Sequence, residues 1–260
     1  MTALAIAAMV LTMLATGLGL HGRDFLRVQA EPAAILTGLV LQALLLPMAV
    51  VLLVNYLWPS GSPAFGLALA ALAPATAASH VFVGLSGGNI GVARSLTAWS
   101  SVTFLVIVAA IDLAGLLSNL WLVLGFGYVL PLVLGMVLAV MRPQIAFRGE
   151  RALFMAGSVL TGVVILGTLY QHWHASLMGQ FGLALIVCLI AGLFGGLAGG
   201  LSGSGKGQAI GISLAMQNVA AMMAVCWAGG SGWYAASSAV YAVAMYLAVI
   251  GLILFWRRIG

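Results

Sequence analysis

Apolar residues run through this chain in long unbroken stretches separated by short polar joints. Nine stretches are long enough to cross a bilayer as helix: about 2–20, 33–57, 64–85, 91–116, 119–141, 151–170, 177–198, 206–228 and 232–256. A hydrocarbon core about 30 Å thick takes roughly 20 helical residues per crossing. The stretches do not alternate with period two, which speaks against a membrane β-barrel. The pattern predicts an all-α polytopic membrane protein with nine transmembrane helices, built as one integral membrane domain over 1–260. The longest joint, from about Arg142 to Glu150, is too short to separate soluble domains.

Two stretches break the apolar pattern near their middle. In the eighth, GISLAMQNVA places Ser213, Gln217 and Asn218 at membrane depth. In the third, Pro74 is followed by ATAASH, which ends on Ser79 and His80. Polar side chains inside a membrane are costly unless partnered, so they tend to mark a site. The two stretches lie five crossings apart and would run in opposite directions. Interrupted helices in inverted positions point to a secondary transporter with its site at the bilayer midplane. Freed carbonyls and amide side chains would bind an ion or substrate there; the plainer alternative is hydrogen-bond glue between helices. Gln42 lies five residues before Pro47, and glue is the simpler reading for it alone. Pro47 predicts a kink, and Thr97 reads as bonding back to its own helix.

Composition fixes the class. The chain is 64% hydrophobic and 5% charged, with a mean hydropathy of +1.22. No soluble domain of this length hides so much apolar surface. The net charge of +5 invites a nucleic-acid reading, but charge placement argues otherwise. Arg23 and Arg27, Arg94, Arg142, Arg148 and Arg151, Lys206, and Arg257 and Arg258 all fall on one side of the nine-crossing arrangement. The positive-inside rule then sets the N-terminus outside and the C-terminus in the cytoplasm of an inner or plasma membrane. Tyr56, Trp58, Trp173, Trp233 and Tyr234 fall near the outer ends as interfacial anchors. The first stretch has its basic residues after it, the wrong polarity for a cleaved signal peptide.

The remaining candidates are weaker. Asp24, Glu31 and Glu150 fall in cytoplasmic joints and read as solvated. Arg94 reads as reaching back to the cytoplasmic interface. Asp112 sits in the outer third of the fourth crossing, either at the interface or lining a vestibule. His172 and His174 have no nearby acid and make a weak metal signal; no transition-metal site is expected. Cys188 and Cys226 read as small hydrophobes. Gly200–Lys206, GLSGSGK, imitates a phosphate-binding loop, but Gly207 follows where Ser or Thr belongs, and a membrane helix precedes it. Nucleotide binding is rejected on that context. The preceding GLFGGLAGG carries GxxxG spacing, a helix-packing signature. No catalytic acid–base pair appears, so no enzyme and no cofactor is expected.

Three segments together resemble the bile acid:sodium symporter family: GLGLHGRDFLRVQAEPAAILTGLVLQALLLPMA, APATAASHVFVGLSGGNIGVARSLT and AIGISLAMQNVA. The chain looks like the nine-helix type. The resemblance implies a panel domain of crossings about 2–20, 119–141 and 151–170. It implies a core domain of crossings about 33–57, 64–85, 91–116, 177–198, 206–228 and 232–256. The third and eighth crossings would be the unwound, crossing pair. The positions that match the family's two Na⁺ sites are Gln42, Ser79, Thr97 and Gln217, with carbonyls near Leu214 and Met216. Asn218 matches a residue facing the substrate cavity, with His80 and Ser213 beside it. The departures are Ser213 in place of a glutamate, His80 in place of an asparagine and Ala93 in place of a serine. They remove the one carboxylate shared by both ions and weaken the expected Na⁺ coupling.

The reading is a secondary transporter of a small or amphipathic organic anion, working by alternating access. Its partners are the lipid bilayer and that anion, with Na⁺ as the coupling ion the resemblance implies. The alternatives are proton-coupled or uncoupled transport using His80, and a membrane sensor or binding subunit that does not transport.

Overall fold

The computed structural model describes residues 1–58, 63–112, 120–203 and 205–259, with the side chains of residues 111, 112, 120 and 259 left out of account. The described residues are helical throughout, with a single isolated bridge between Ala75 and Gln217 in place of any strand. Seven helices are long and apolar enough to cross a membrane: Thr2–Gly19, Pro32–Leu57, Ile90–Ala110, Val123–Met141, Pro143–Gln171, Ser176–Gly200 and Gly232–Arg258. Their outward faces carry large exposed apolar side chains such as Leu52, Val106, Val159 and Leu197, as a lipid-facing surface does. The chain is a polytopic helical membrane protein.

The third and eighth apolar stretches each form two short helices. α5 (Phe65–Leu72) and α6 (Ala78–Leu85) flank one break. α12 (Lys206–Ala215) and α13 (Val219–Ala228) flank the other. The second stretch is α3 (Pro32–Val40), a wider π-helical turn over Leu41–Leu45, and α4 (Leu46–Leu57). Pro47 has no N–H to give the preceding turn, and the helix widens just before it. The kink expected from Pro47 is thus a π-turn, and it carries Gln42. A π-helical stretch over Val123–Val129 stands in the same relation to Pro131 at the head of α9 (Leu130–Met141).

Three helices group together. α1 (Thr2–Gly19) packs along α9 and α10 (Pro143–Gln171). Glycine lets it approach closely, since a Cβ on Gly17 would collide with the carbonyl oxygen of Leu132. The GxxxG run behaves the same way. A Cβ on Gly207 or Gly211 of α12 would strike the carbonyls of Gly196 or Gly192 on α11 (Ser176–Gly200). The trio meets a broken helix where α1 touches α13, and the last helix where α10 touches α14 (Gly232–Ile259). Trp227 at the end of α13 donates its Nε1–H to Thr168 of α10 at 3.1 Å.

Several joints are more ordered than the sequence suggests. Pro143–Glu150 is the first part of α10, not a loop, because proline at a helix start removes a donor that would be unsatisfied anyway. Glu150 lies half-buried against Gly19. Residues 22–30 form α2 (Gly22–Ala30), and Asp24 is buried there, accepting the His21 backbone N–H at 2.8 Å. Glu31 pairs with Arg27 at 3.0 Å and Lys206 at 3.2 Å. Burial alone would raise the Glu31 carboxyl, but hydrogen bonds and charge from Lys206 and Arg27 outweigh that and hold it below its ordinary value. None of these three acids is simply solvated.

The joint Gly200–Lys206 links α11 to α12, a helix-to-helix turn. Gly205 there takes φ +73, a left-handed conformation that favours glycine, and its carbonyl accepts the Asn89 N–H at 2.8 Å. His172 packs edge-on against Trp227 and Trp233, and His174 packs against Trp233. Burial first, then the neighbouring His172, lowers the pKa of His174. Among the described residues no group of three metal-ligating side chains occurs. The end of the fourth expected crossing, 113–116, and the start of the fifth at 119 lie outside the described residues. So does the side chain of Asp112, the last residue of α7 (Ile90–Asp112).

Candidate functional site

The two breaks are bonded to each other. The Asn218 backbone N–H donates to the Pro74 carbonyl at 2.7 Å, and Ala75 bridges Gln217 in antiparallel fashion. Backbone groups released from each helix are therefore satisfied across the break. Ala75 donates its own N–H to Ser100 Oγ at 3.1 Å. Asn218 caps α13, with Oδ1 accepting the Ala221 N–H at 3.2 Å. Gln217 Nε2 donates to the Leu214 carbonyl at 2.8 Å, and Gln217 Oε1 accepts from Gln42 Nε2 at 3.1 Å. Four separate stretches of sequence, around Gln42, Pro74, Ser100 and Gln217, thus converge.

Ser79, Ala93, Thr97, Ser213, Met216 and Gln217 are fully buried, and Gln42, His80, Leu214 and Asn218 nearly so. His80 Nε2 lies 2.9 Å from Thr97 Oγ1, joining α6 to α7. Ser79 Oγ donates to the Thr76 carbonyl at 2.8 Å. Ser213 Oγ and Gln42 Oε1 are buried without a hydrogen-bond partner. Arg94 stands one turn into α7, partly buried, with its Nε also unpartnered, and its charge bears on His80. It forms no ion pair among the described residues.

Na⁺ is a hard cation that wants several oxygen ligands and, in a dehydrated site, negative charge. Around Ser79 the donor set does not fit. Ala93 brings no oxygen, and His80 already occupies the Thr97 hydroxyl. Around Gln217 the unpartnered side-chain oxygens are the neutral ones of Gln42 and Ser213. Neither cluster contains a carboxylate among the described residues.

On the other side of the paired breaks lies a cavity of about 30 Å³. Thr76 and Asn218 line it from the breaks, Thr12 from α1, Ser158 and Thr161 from α10, and Tyr246 from α14. The N-terminal ends of α6 and α13 both open on it, through Ala78 and Val219. Most of the first N–H groups of both helices are already bonded within the breaks, those of Ser79 and His80 to Thr76 and Ala77 and those of Val219 and Ala221 to Gln217 and Asn218, so what favours an anion there is the partial positive charge of the two helix ends.

The expected residues therefore divide between two faces. Gln42, Ser79, His80, Thr97 and Ser213 lie on the packed side, Asn218 reaches the cavity, and Gln217 touches both. Sequence reasoning missed Ser100, Thr76, Thr12, Ser158 and Thr161. Ser158 and Thr161 sit at i, i+3, one helix face, a spacing that was open to inspection. Thr12 gave no such signal.

No curated protein sequence matches the chain. The sequence model of the sodium bile acid symporter family matches residues 6–171, which contain the first break, Gln42, the His80–Thr97 pair and the α10 wall of the cavity. The chain belongs to the sodium bile acid symporter family.

Proposed function

We propose that the protein is a secondary transporter of an organic anion, working by alternating access around the paired breaks. In this reading the chain crosses the membrane nine times, with the two broken stretches as oppositely directed crossings. α1, α9 and α10 with its neighbouring turns form the panel, and the other crossings form the core. The N-terminus lies outside and the C-terminus in the cytoplasm, as the positive-inside rule requires.

The observation that carries the reading is the convergence of two helix N-termini on one cavity between the panel and the core. Charge for the anion comes from these N-termini, because none of the side chains lining the cavity is charged. Contacts between the two groups include Trp227 with Thr168, Phe104 with Tyr128, α13 with α1 and with the π-helical stretch Val123–Val129, and α10 with α14. These are the contacts that a moving panel exchanges.

A second reading concerns coupling. The direct His80–Thr97 bond and the absent carboxylate favour transport that does not depend on Na⁺, either proton-coupled or uncoupled. Purified protein in proteoliposomes tests both. Counterflow of radiolabelled carboxylates, assayed in Na⁺ and again in K⁺, is expected in both salts. Loss of counterflow in K⁺ would restore sodium as the coupling ion. Binding without any counterflow would favour the sensor reading.

A further inference from the structure

The basic end of the molecule carries a larger recess, away from the breaks. α11 and α14 run side by side there: a Cβ on Gly192 would strike Leu252, and one on Gly196 would strike Trp256. Between these two helices and the start of α12 lies a groove of about 470 Å³. Small-molecule sites run from roughly 300 to 1,000 Å³. Leu193, Leu197 and Phe255 line the groove and are exposed. On a lipid-facing surface, exposed apolar walls mean that the groove opens sideways into hydrocarbon.

The groove is not apolar along its whole length. Trp256 lines it and is only 8% exposed, and its indole N–H meets no acceptor among the described residues. An indole nitrogen only donates, so it favours an occupant with a carbonyl or phosphate oxygen at that depth. Just past Trp256 the charge is positive. Arg257 and Arg258 end α14, and neither joins an ion pair among the described residues. Arg257 is steadied by giving its Nε–H to the Leu85 carbonyl at 2.9 Å. Lys206 stands at the opposite edge, its Nζ 3.9 Å from where a Cβ on the groove residue Gly203 would be. The acid that meets Lys206 is Glu31, which is shared with Arg27.

Apolar walls, then a buried donor, then cations follow the order of groups in a phospholipid: acyl chain, ester carbonyl, phosphate. A plain hydrocarbon would leave the indole N–H unpaired. A zwitterionic lipid would bring an ammonium up to three cations. Basic pockets between helices at the cytoplasmic face suit anionic headgroups.

We propose that this groove holds one anionic phospholipid of the cytoplasmic leaflet. Its acyl chain lies along Leu193, Leu197 and Phe255, an ester oxygen accepts from Trp256, and the phosphate sits among Arg257, Arg258 and Lys206. The site is separate from the cavity at the breaks and does not depend on the transport reading. It braces α12, the first half of the second broken stretch, against α14.

The test uses the full chain purified in detergent, read by melting temperature and by lipid retention in native mass spectrometry. The probes are phosphatidylglycerol and phosphatidylcholine with identical chains, and glycerol 3-phosphate, which has the phosphate without the chains. Phosphatidylglycerol is expected to bind tighter than phosphatidylcholine by about fivefold or more, the scale of one basic residue at a membrane surface. Glycerol 3-phosphate should not stabilise. A Cβ on Gly200, which lines the groove, meets nothing within 4 Å, so Gly200→Leu fills the groove without disturbing the packing. It should abolish retention of phosphatidylglycerol and leave the lipid-free melting temperature unchanged. Arg258→Gln should remove most of the preference for phosphatidylglycerol and leave phosphatidylcholine unaffected. Equal binding of the two lipids, or a preference that survives both variants, overturns the proposal. Stabilisation by glycerol 3-phosphate alone also overturns it, in favour of a free-phosphate site.

Discussion

The two breaks look alike in outline and differ in cause. In the first, between α5 and α6, Pro74 removes a backbone donor, so the helix has a covalent reason to stop. In the second, between α12 and α13, there is no proline. Met216 still donates to the Ile212 carbonyl at 2.9 Å, and then side chains take over from the backbone. Gln217 covers the freed Leu214 carbonyl and Asn218 caps the next helix. One break is written in the backbone, the other in two amide side chains. The second should be the more fragile, and the easier to tune.

The largest effect is expected at Asn218. Asn218→Leu removes the cap and the buried cavity amide. Loss of a cap costs about 1 kcal/mol, so the protein should still fold with a lowered melting temperature. Counterflow should fall to background. Full activity in Asn218→Leu would detach the second break from function.

Gln217→Leu comes next. It strands Gln42 Nε2 and the Leu214 carbonyl, and a buried unsatisfied group costs about 1–3 kcal/mol. The double variant Gln42→Leu with Gln217→Leu should cost less than the sum of the singles, because both partners leave together. Strict additivity in melting measurements would mean the two amides do not interact.

The first break gives a sharper contrast. Ser100→Ala leaves the Ala75 N–H without its acceptor and should destabilise by about 1–3 kcal/mol. Pro74→Ala leaves the Asn218–Pro74 and Ala75–Ser100 bonds in place and should cost under about 1 kcal/mol, within the ordinary range for a single substitution. If Pro74→Ala proves the more damaging, the ring and not the bonding holds the break open.

The smallest effect lies away from both breaks. The folded Glu31 pKa is below its ordinary 4.5, so its contribution is complete above that value and is lost as pH falls through the lower folded value. Glu31→Gln should flatten the acid side of the melting-temperature profile through a small loss at neutral pH and none in acid, where the protonated carboxyl already resembles the amide.

Much of this was legible in the sequence, because lipid allows little besides helix and demands satisfied backbone. The apolar runs marked the seven long helices of the described residues, Pro74 marked one break, and the polar triplet at Ser213, Gln217 and Asn218 marked the other. What could not be read was pairing. Gln42 looked like isolated glue until the π-turn before Pro47 brought it to Gln217. Glu31 and Asp24 looked solvated because their partners, Lys206 and the His21 N–H, depend on how α2 and α12 fold.

Access to the cavity tests the central claim without needing the substrate. In a variant lacking Cys188 and Cys226, Thr76→Cys places a single thiol on the cavity wall. Membrane-impermeant maleimide is added to right-side-out vesicles, or to inverted vesicles whose cytoplasmic face meets the medium. Alternation around the paired breaks predicts labelling from both sides. Labelling from one side only, or from neither, would contradict it.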